Sequence, residues 1–208
     1  MTDNPLVPLI ARGEADRTTT LAALALEQGW VIPADRRAFL QLARRAVPDA
    51  QESAAFFTLL AEGEVLAGER LGAFAEACGV TQARAAAYEP LPGCQAYPAY
   101  VAWLALNASP AEAVLALTAN FAAWGGYCAT IAEALRRHYG FTDQACAFFD
   151  FFAEPSAELD RKAAAAIEAG RKAGQVDEAR AREYTRLLQS YEDQFWSTLS
   201  GRTPRTPH

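Results

Sequence analysis

A run of twenty residues without a charged side chain, 113–132, constrains the fold more than any other feature of this chain. Ser109 and Pro110 precede it as a helix N-cap and a first-turn residue, and Gly140 follows it as a helix end. The run is long enough to cross a bilayer, but its threonines, glycines and asparagine make it only weakly hydrophobic. In a globular protein, a helix that is apolar on all sides is a central helix buried by its neighbours. We therefore expect a central, nearly fully buried helix over 110–139 and no membrane span.

The remainder of the chain also shows helical rather than strand periodicity, which predicts an all-α fold. Gly29 and Pro33 interrupt the first long apolar stretch and predict two separate helices, roughly 16–28 and 34–47. Further helices are expected at 5–12, 49–78, a short stretch after Thr81, 95–107, 142–153, 156–173 and 177–199.

Composition narrows the possible classes of function. The 208 residues carry a net charge of −6 and have a pI near 5.0. Because phosphate binding needs a basic surface, nucleic acid is not expected as a partner. We expect one helical domain over 1–200 and a disordered tail over 201–208. No signal-peptide pattern stands at the N-terminus, so a cytoplasmic protein is expected.

The cysteines and histidines give no metal pattern. Cys78, Cys94, Cys128 and Cys146 lie far apart and form no Cys-x-x-Cys pair. The two histidines stand at the end of the central helix and at the chain terminus, and the sequence has no Glu-x-x-His pair for a di-iron site. We therefore expect free buried thiols, no metal site and no cofactor.

The last helix carries the strongest functional signal. At helical spacing its apolar stripe consists of Tyr184, Leu187, Leu188, Tyr191, Phe195, Trp196 and Leu199. Glu192 falls inside this stripe. Because burying a bare carboxylate is costly, Glu192 must be paired, protonated or exposed to a cavity. We expect Glu192 to line an enclosed cavity with a raised pKa, and the alternative is a surface ion pair at the edge of the stripe.

Aromatic residues recur at helical spacing in three groups: Tyr97, Tyr100 and Trp103; Trp124 and Tyr127; Phe148, Phe149, Phe151 and Phe152. Core packing is the ordinary explanation of such stripes. Gly125 and Gly126 stand between the aromatic residues of the second group. Each glycine inside a helix costs about 1 kcal/mol relative to alanine. This pair favours a close approach of backbone or ligand, with a helix kink as the alternative.

Several of these segments together resemble the TenA/thiaminase II family. The segments are Ala96-Tyr97 at the start of a mid-chain helix, Ala111-Glu112 and Ile131–Leu135 on the central helix, Phe148–Phe152 on the next helix, and Tyr191–Trp196 on the last. The likeness runs from about residue 48 onward, and the helices before it look shortened. The resemblance implies a single haem-oxygenase-like helical bundle whose relatives hydrolyse thiamin or aminopyrimidine breakdown products.

The resemblance also implies a pocket in which a pyrimidine ring lies between aromatic side chains. Glu192 matches the family's proton-transferring Glu. The family's Asp, which holds the amine of the ring, falls on Asp35 by one of two alignments. Together with the aromatic groups, this predicts ligand contacts from Tyr97, Tyr100, Asn120, Trp124, Tyr127, Phe152 and Tyr191.

The nucleophilic Cys of the family has no counterpart in this chain. Matching one half of the central helix or the other places that position on Asn120 or on Trp124, which lie one helical turn apart. Neither side chain supplies a thiolate-grade nucleophile for attack on a ring carbon. Cys128 lies one further turn along, where the family has a pocket Tyr. It is the candidate nucleophile only if the substrate lies a turn away from its usual place.

Three functions therefore remain open. The first is a TenA-like hydrolase of an aminopyrimidine or similar nitrogen heterocycle, with Glu192 as acid and base and an altered nucleophile. The second is a non-catalytic binder of a small aromatic metabolite, and the third is a regulatory or partner-binding protein with a vestigial pocket. Apolar patches of an alanine- and aromatic-rich domain commonly mark interfaces. The resemblance likewise implies oligomers, so a homodimer or larger homo-oligomer is expected.

Overall fold

The computed structural model describes residues 4–201, and every regular element in that range is helical. The helices are α1 (Leu6–Ala11), α2 (Ala22–Ala46), α3 (Gln51–Ala77), α4 (Gln82–Ala86), α5 (Pro92–Asn107), α6 (Pro110–Tyr139), α7 (Asp143–Ala153), α8 (Ala157–Lys172) and α9 (Glu178–Ser200). A π-helical turn over Arg17–Leu21 leads directly into α2. The expected all-α fold class is confirmed. Apart from Gly201, the tail expected over 201–208 lies outside the described residues.

α6 begins and ends where the sequence predicts. The Ser109 hydroxyl accepts the backbone N–H of Glu112, and the Glu112 carboxylate accepts the backbone N–H of Ser109, both at 3.2 Å. Gly140 ends the helix in the left-handed conformation, with φ 67°. The buried Glu112 carboxylate also accepts the backbone N–H of Asp177 at 2.9 Å and the Arg180 guanidinium at 2.7 Å. The starts of α6 and α9 are therefore held together.

α2 is one unbroken helix, so the prediction of separate helices over 16–28 and 34–47 is wrong. Pro33 lies inside α2 and cannot donate to the carbonyl of Gly29, and an interior proline costs about 3 kcal/mol. α2 packs along α3 on both sides of the proline. The buried apolar side chains there include Val31, Ile32, Phe39 and Leu42. Because their burial favours a continuous helix, tertiary packing overrides the local helix breakers.

α6 is central but not buried on all sides, so the expected near-complete burial is wrong. One face packs against α1, α7, α8 and α9. The opposite face is exposed and is formed by Ala119, Ala122, Gly126, Ala129 and Glu133. Small side chains carry little apolar area, so their exposure costs little. Among the residues described, α6 is the one helix that by length and composition could cross a membrane, and a single helix of this kind is weak evidence for a membrane span.

The buried side chains form two hydrophobic clusters rather than one continuous core. The first cluster combines α1, the start of α2, the end of α3, the second half of α6, α7 and the end of α9. The second cluster combines the end of α2, the start of α3, most of α5, the first half of α6, part of α8 and the start of α9. Each of α2, α3, α6 and α9 therefore passes from one cluster to the other along its length.

Two helical glycines give opposite predictions for replacement by alanine. At Gly170 of α8, an added Cβ would collide with the Cβ of Ala111 in α6. Gly170→Ala should therefore lower the free energy of unfolding by about 1–3 kcal/mol. At Gly126 nothing lies within 4 Å of an added Cβ, so Gly126→Ala should raise the free energy of unfolding by about 0.5–1 kcal/mol. Urea unfolding followed by circular dichroism measures both, and changes of the same sign would contradict the packing described.

Candidate functional site

A single polar side chain marks the point where each of four helices passes from one cluster to the other. These side chains are Asp35 on α2, Glu64 on α3, Asn120 on α6 and Glu192 on α9. Tyr97 on α5 packs against both clusters. We call these five residues the polar layer. The layer crosses the bundle between two apolar regions, where an unpaired polar atom is costly.

Glu192 forms one end of the polar layer and is buried, as its place in the apolar stripe predicts. The side-chain amide of Asn120 donates to Oε2 of Glu192, and the Trp196 indole Nε1 donates to Oε1 at 3.3 Å. Burial raises the pKa of Glu192, while the hydrogen bonds from Asn120 and Trp196 oppose the rise. The Glu192 carboxyl is therefore held in a fixed orientation with a pKa above its usual value.

Asp35 and Glu64 form the other end of the polar layer. Asp35 is only 5% exposed, and burial raises its pKa to about 8. Glu64 is half-buried as a residue but its Oε2 is enclosed, and burial together with the charge of Asp35 raises the pKa of Glu64 well above its usual range. Among the residues described, neither Oδ1 of Asp35 nor Oε2 of Glu64 has a hydrogen-bond partner.

The packing of α2 on α3 places these two carboxyl groups opposite each other. A Cβ at Gly68 would lie 3.6 Å from Cγ2 of Ile32. The short connection between the helices makes them antiparallel, so the position one turn before Gly68 faces the position one turn after Ile32. Those positions are Glu64 and Asp35, whose charges also act on each other.

Tyr97 connects the two ends of the polar layer. Its hydroxyl feels the charges of Asp35, Glu192 and Glu64, and together with burial they raise the pKa of Tyr97 well above its usual range. The hydroxyl therefore lies within the field of all three carboxyl groups and remains protonated. Tyr97 as a whole residue is half-buried.

An aromatic wall stands beside Glu192. Trp196, which donates to Glu192, packs against Trp124 and Tyr127 with ring centroids 5.8 Å away in each case. Trp124 in turn meets Phe152 edge-on at 5.5 Å. Three of the expected ligand-contact residues, Trp124, Tyr127 and Phe152, are therefore linked to Glu192 through Trp196.

Two other expected ligand contacts pack elsewhere. Tyr100 and Tyr191 lie 5.0 Å apart, and Tyr100 also stacks on Trp103 at 5.6 Å. Both tyrosines pack in the second cluster, and Trp103 is 44% exposed. A role for Tyr100 and Tyr191 in ligand binding stays a prediction.

Cys128 is buried in the first cluster near Glu192. Burial and the charge of Glu192 both raise the pKa of its thiol well above the usual range. Reactive cysteines are instead activated by nearby positive charge or a helix N-terminus. The environment of Cys128 therefore keeps the thiol protonated and disfavours the nucleophilic role considered from the sequence.

The glycine pair on α6 has a packing explanation. A Cβ at Gly125 would lie 3.2 Å from the carbonyl oxygen of Phe152, at the C-terminal end of α7. The backbone of α7 therefore approaches α6 closely at Gly125. Gly126 faces open space. Of the alternatives weighed from the sequence, close approach of backbone accounts for Gly125.

Two surface grooves lie outside the polar layer. One of about 440 Å³ lies between α2 and α5, and one of about 430 Å³ lies between α6 and α9. No polar-layer residue lines either groove. The enclosed cavity expected at Glu192 therefore stays a prediction. Over 4–201, no three His, Cys, Asp or Glu side chains are grouped so as to hold a metal ion.

Glu64 is the residue that the sequence analysis missed. It stands in the same kind of apolar series as Glu192, between Phe57 and Ala61 on one side and Gly68 and Leu71 on the other. The spacing of four and three residues keeps these positions on one helix face. A search for a carboxylate in phase with an apolar stripe would have found Glu64 as well as Glu192.

The comparisons with known proteins agree with this architecture. A family model described as the TENA/THI-4/PQQC family matches residues 49–202. This chain belongs to that family. The match begins beside residue 48, where the sequence resemblance was expected to begin. No curated protein matches the chain.

The fold of this chain is shown by its similarity to a solved structure of another protein. That structure is the crystal structure of a domain of unknown function with a heme oxygenase-like fold from Shewanella denitrificans OS217 at 2.30 Å resolution. The match has 13% identity and a TM-score of 0.72, over 96% of this chain and 85% of that one. At this identity the likeness shows the fold alone, which is the expected haem-oxygenase-like bundle.

The raised pKa of Asp35 predicts how stability depends on pH. The folded state holds the Asp35 proton up to about pH 8, whereas an unfolded chain loses it near pH 4. The contribution of the neutral carboxyl is therefore complete below about pH 4 and is lost as the pH rises toward 8. Asp35→Asn cannot ionise and should be more stable than wild type at pH 8.5 by about 1 kcal/mol or more, with a smaller difference at pH 5.

Urea unfolding at the two pH values measures this difference. Asp49→Asn, at an exposed position beyond the end of α2, is the matched control and should show no such pH dependence. A difference between Asp35→Asn and wild type that is equal at both pH values would contradict the buried neutral carboxyl.

Proposed function

We propose that this protein binds an amino-substituted nitrogen heterocycle, of the aminopyrimidine or thiamin-related class, at the polar layer and hydrolyses it. The observation that carries the proposal is the buried Glu192 carboxyl, which Asn120 and Trp196 hold beside an aromatic wall. Membership of the TENA/THI-4/PQQC family supports a thiamin-related function. The ligand would be a small aromatic or heterocyclic molecule, with no cofactor or metal needed.

The aromatic wall suits a flat heterocycle. Trp124, Tyr127 and Phe152 offer ring faces and edges, and each aromatic pair adds about 0.5–1.5 kcal/mol beyond buried area. Tyr97 packs against both clusters, and its hydroxyl lies in the field of the three carboxyl groups. We place the ring of the ligand beside Tyr97, with its nitrogen substituents toward the polar layer.

Water replaces the missing thiol in the proposed reaction. Asn120 and Trp124 are not nucleophiles, and the Cys128 thiol is held protonated. The water oxygen bonds to the ring carbon, and the exocyclic C–N bond then breaks. Glu192 takes a proton from the water as a carboxylate and returns it to the leaving nitrogen, which departs as ammonia. A carboxyl with a raised pKa can act in both directions near neutral pH.

A non-catalytic binder is the second candidate. The observation that favours it is the electrostatic environment of Cys128, which suppresses the thiolate. Binding of a heterocycle without ammonia release would identify this function. A regulatory protein with a vestigial site would show neither binding nor turnover.

We further propose a homodimer or larger homo-oligomer in the cytoplasm. Six large apolar side chains are exposed: Trp30, Val47, Val65, Leu66, Trp103 and Leu106. Such surface commonly marks an interface. All four cysteines are buried, and Cys78, Cys128 and Cys146 are free thiols, which suits a reducing compartment.

Light scattering at micromolar concentration tests the assembly. With a chain mass of 22.5 kDa, the measured mass should be at least twice that value. A mass equal to that of the single chain would refute the proposed oligomer.

Glu192→Gln tests the proposed chemistry. Gln keeps the shape of the neutral acid but cannot transfer a proton, so turnover of an aminopyrimidine should fall by about 100-fold or more. Binding should change by only a few-fold. Ammonia release measures turnover, and isothermal titration calorimetry measures binding.

Glu183→Gln is the matched control for Glu192→Gln. Glu183 lies on the exposed face of α9, in an ion pair with Arg186. Its replacement should leave turnover unchanged. Undiminished turnover in Glu192→Gln would show that Glu192 has no part in proton transfer.

A further inference from the structure

The polar layer contains two carboxyl oxygens that the described residues do not satisfy. Asp35 is more than nine-tenths buried, and its Oδ1 has no hydrogen-bond partner. Oε2 of Glu64, on the facing helix, is also enclosed and without a partner. Buried polar atoms are nearly always paired in folded proteins. Two facing acceptor groups left open therefore indicate a missing donor from a ligand.

No cationic side chain contributes to the raised pKa values of Asp35 and Glu64. The charged groups that act on the Tyr97 hydroxyl, between the two ends of the layer, are Asp35, Glu192 and Glu64, all carboxyls. Among the ion pairs within 4–201, none involves Asp35 or Glu64. A site with open acceptors and no protein cation favours a ligand that brings both N–H donors and positive charge.

Glu64 is also close to the aromatic wall. A Cβ at Gly63 would lie 3.7 Å from Cζ of Phe151, so this turn of α3 abuts α7. Phe151 packs edge-on against Phe152 at 5.1 Å. The turn of α3 that carries Glu64 is therefore linked to Phe152 of the aromatic wall through Phe151.

We propose that Asp35 and Glu64 form a two-carboxyl subsite that selects ligands with a cationic N–H edge, such as an amidinium or a protonated amino-heterocycle. This inference rests on the proposed function, because that proposal places the ligand at the polar layer. It adds Glu64 as the residue that sets the preference for positive charge. Each unpaired oxygen accepts one N–H of the ligand. Without a ligand, the two carboxyl groups retain a proton. When a cationic ligand binds, that proton leaves and the positive charge of the ligand replaces it.

Proton release is a direct consequence of this exchange. Tyr97 on α5 is the titratable group that feels both carboxyls of the pair, and it also feels Glu192 on α9, which in turn acts on Cys128 on α6. Tyr97 and Cys128 stay protonated near neutral pH because their pKa values are raised. The proton lost on binding a cation therefore comes from the carboxyl groups.

Benzamidine and benzamide provide a matched pair of probes. They share size and shape, but only benzamidine carries an amidinium. Wild-type protein should bind benzamidine at least about tenfold more tightly than benzamide by calorimetry, because hydrogen bonds to charged groups are the stronger ones. Glu64→Gln should weaken benzamidine binding by about tenfold or more and leave benzamide binding unchanged.

Glu69→Gln is the control variant. Glu69 lies on the exposed side of α3, so its replacement should leave the binding of both probes unchanged. Equal affinity of wild type for the two probes, no binding of either probe, or equal weakening of both by Glu64→Gln would overturn the subsite.

A second measurement needs only the wild-type protein, in case Glu64→Gln does not fold. Calorimetry at pH 7 in buffers of different ionisation enthalpy counts the protons released on binding. Benzamidine should release up to about one proton per site, and benzamide none. Binding of benzamidine without proton release would also overturn the subsite.

The outcomes separate this inference from the proposed function. Selectivity for benzamidine together with no ammonia release from any aminopyrimidine would remove the hydrolase and keep the subsite. Ammonia release that depends on Glu192, together with unchanged probe binding in Glu64→Gln, would remove the subsite and keep the hydrolase.

Discussion

Desolvation of carboxyl groups inside the helical bundle is the constraint on which the proposed site depends. Asp35, Glu64 and Glu192 each occupy a helix position where an apolar side chain would extend a continuous core. The two hydrophobic clusters instead meet at a polar layer. Burial raises the pKa of all three groups, because removing a carboxylate from water favours the neutral acid. Burying three carboxyl groups in the core lowers the stability of the folded state. Buried groups of this kind are found most often at functional sites.

The three carboxyl groups differ in the hydrogen bonds that they accept. Glu192 has two donors, Asn120 and Trp196, which fix its orientation and partly offset its burial. Asp35 and Glu64 face each other with open oxygens. In the proposed function, the Glu192 end of the layer transfers protons and the Asp35–Glu64 end recognises N–H groups. Tyr97 lies in the field of both ends.

Much of this fold could be predicted from the sequence, because helix boundaries are set by local signals. The capping box at Ser109 and the left-handed Gly140 bound α6 as expected. The continuity of α2 could not be predicted, since it depends on burial against α3 on both sides of Pro33. The one-sided exposure of α6 likewise depends on which neighbours surround it, and an apolar sequence does not specify that.

The sequence predicts a site residue where a charged side chain falls within an apolar stripe of a helix. Glu192 was found in this way, and its partner Asn120 came from the family resemblance. The assignment of Asp35 rested on one of two alignments, and the structure places its buried carboxyl in the polar layer. Glu64 was overlooked because its stripe contains small residues, Ala61 and Gly68, whose weak hydrophobicity hides the pattern. The facing of α2 and α3 that brings Asp35 to Glu64 is a tertiary feature.

The protonation of the polar layer can be observed directly. Carboxyl carbon NMR of protein labelled at Asp and Glu side chains, followed from pH 3 to pH 9, reports the titration of each group. The account predicts that Asp35, assigned by its loss in Asp35→Asn, titrates near pH 8, and that Glu64 and Glu192 titrate above the usual range for Glu. Titration of all three near pH 4, as for carboxyl groups in water, would contradict the buried polar layer on which the proposed function rests.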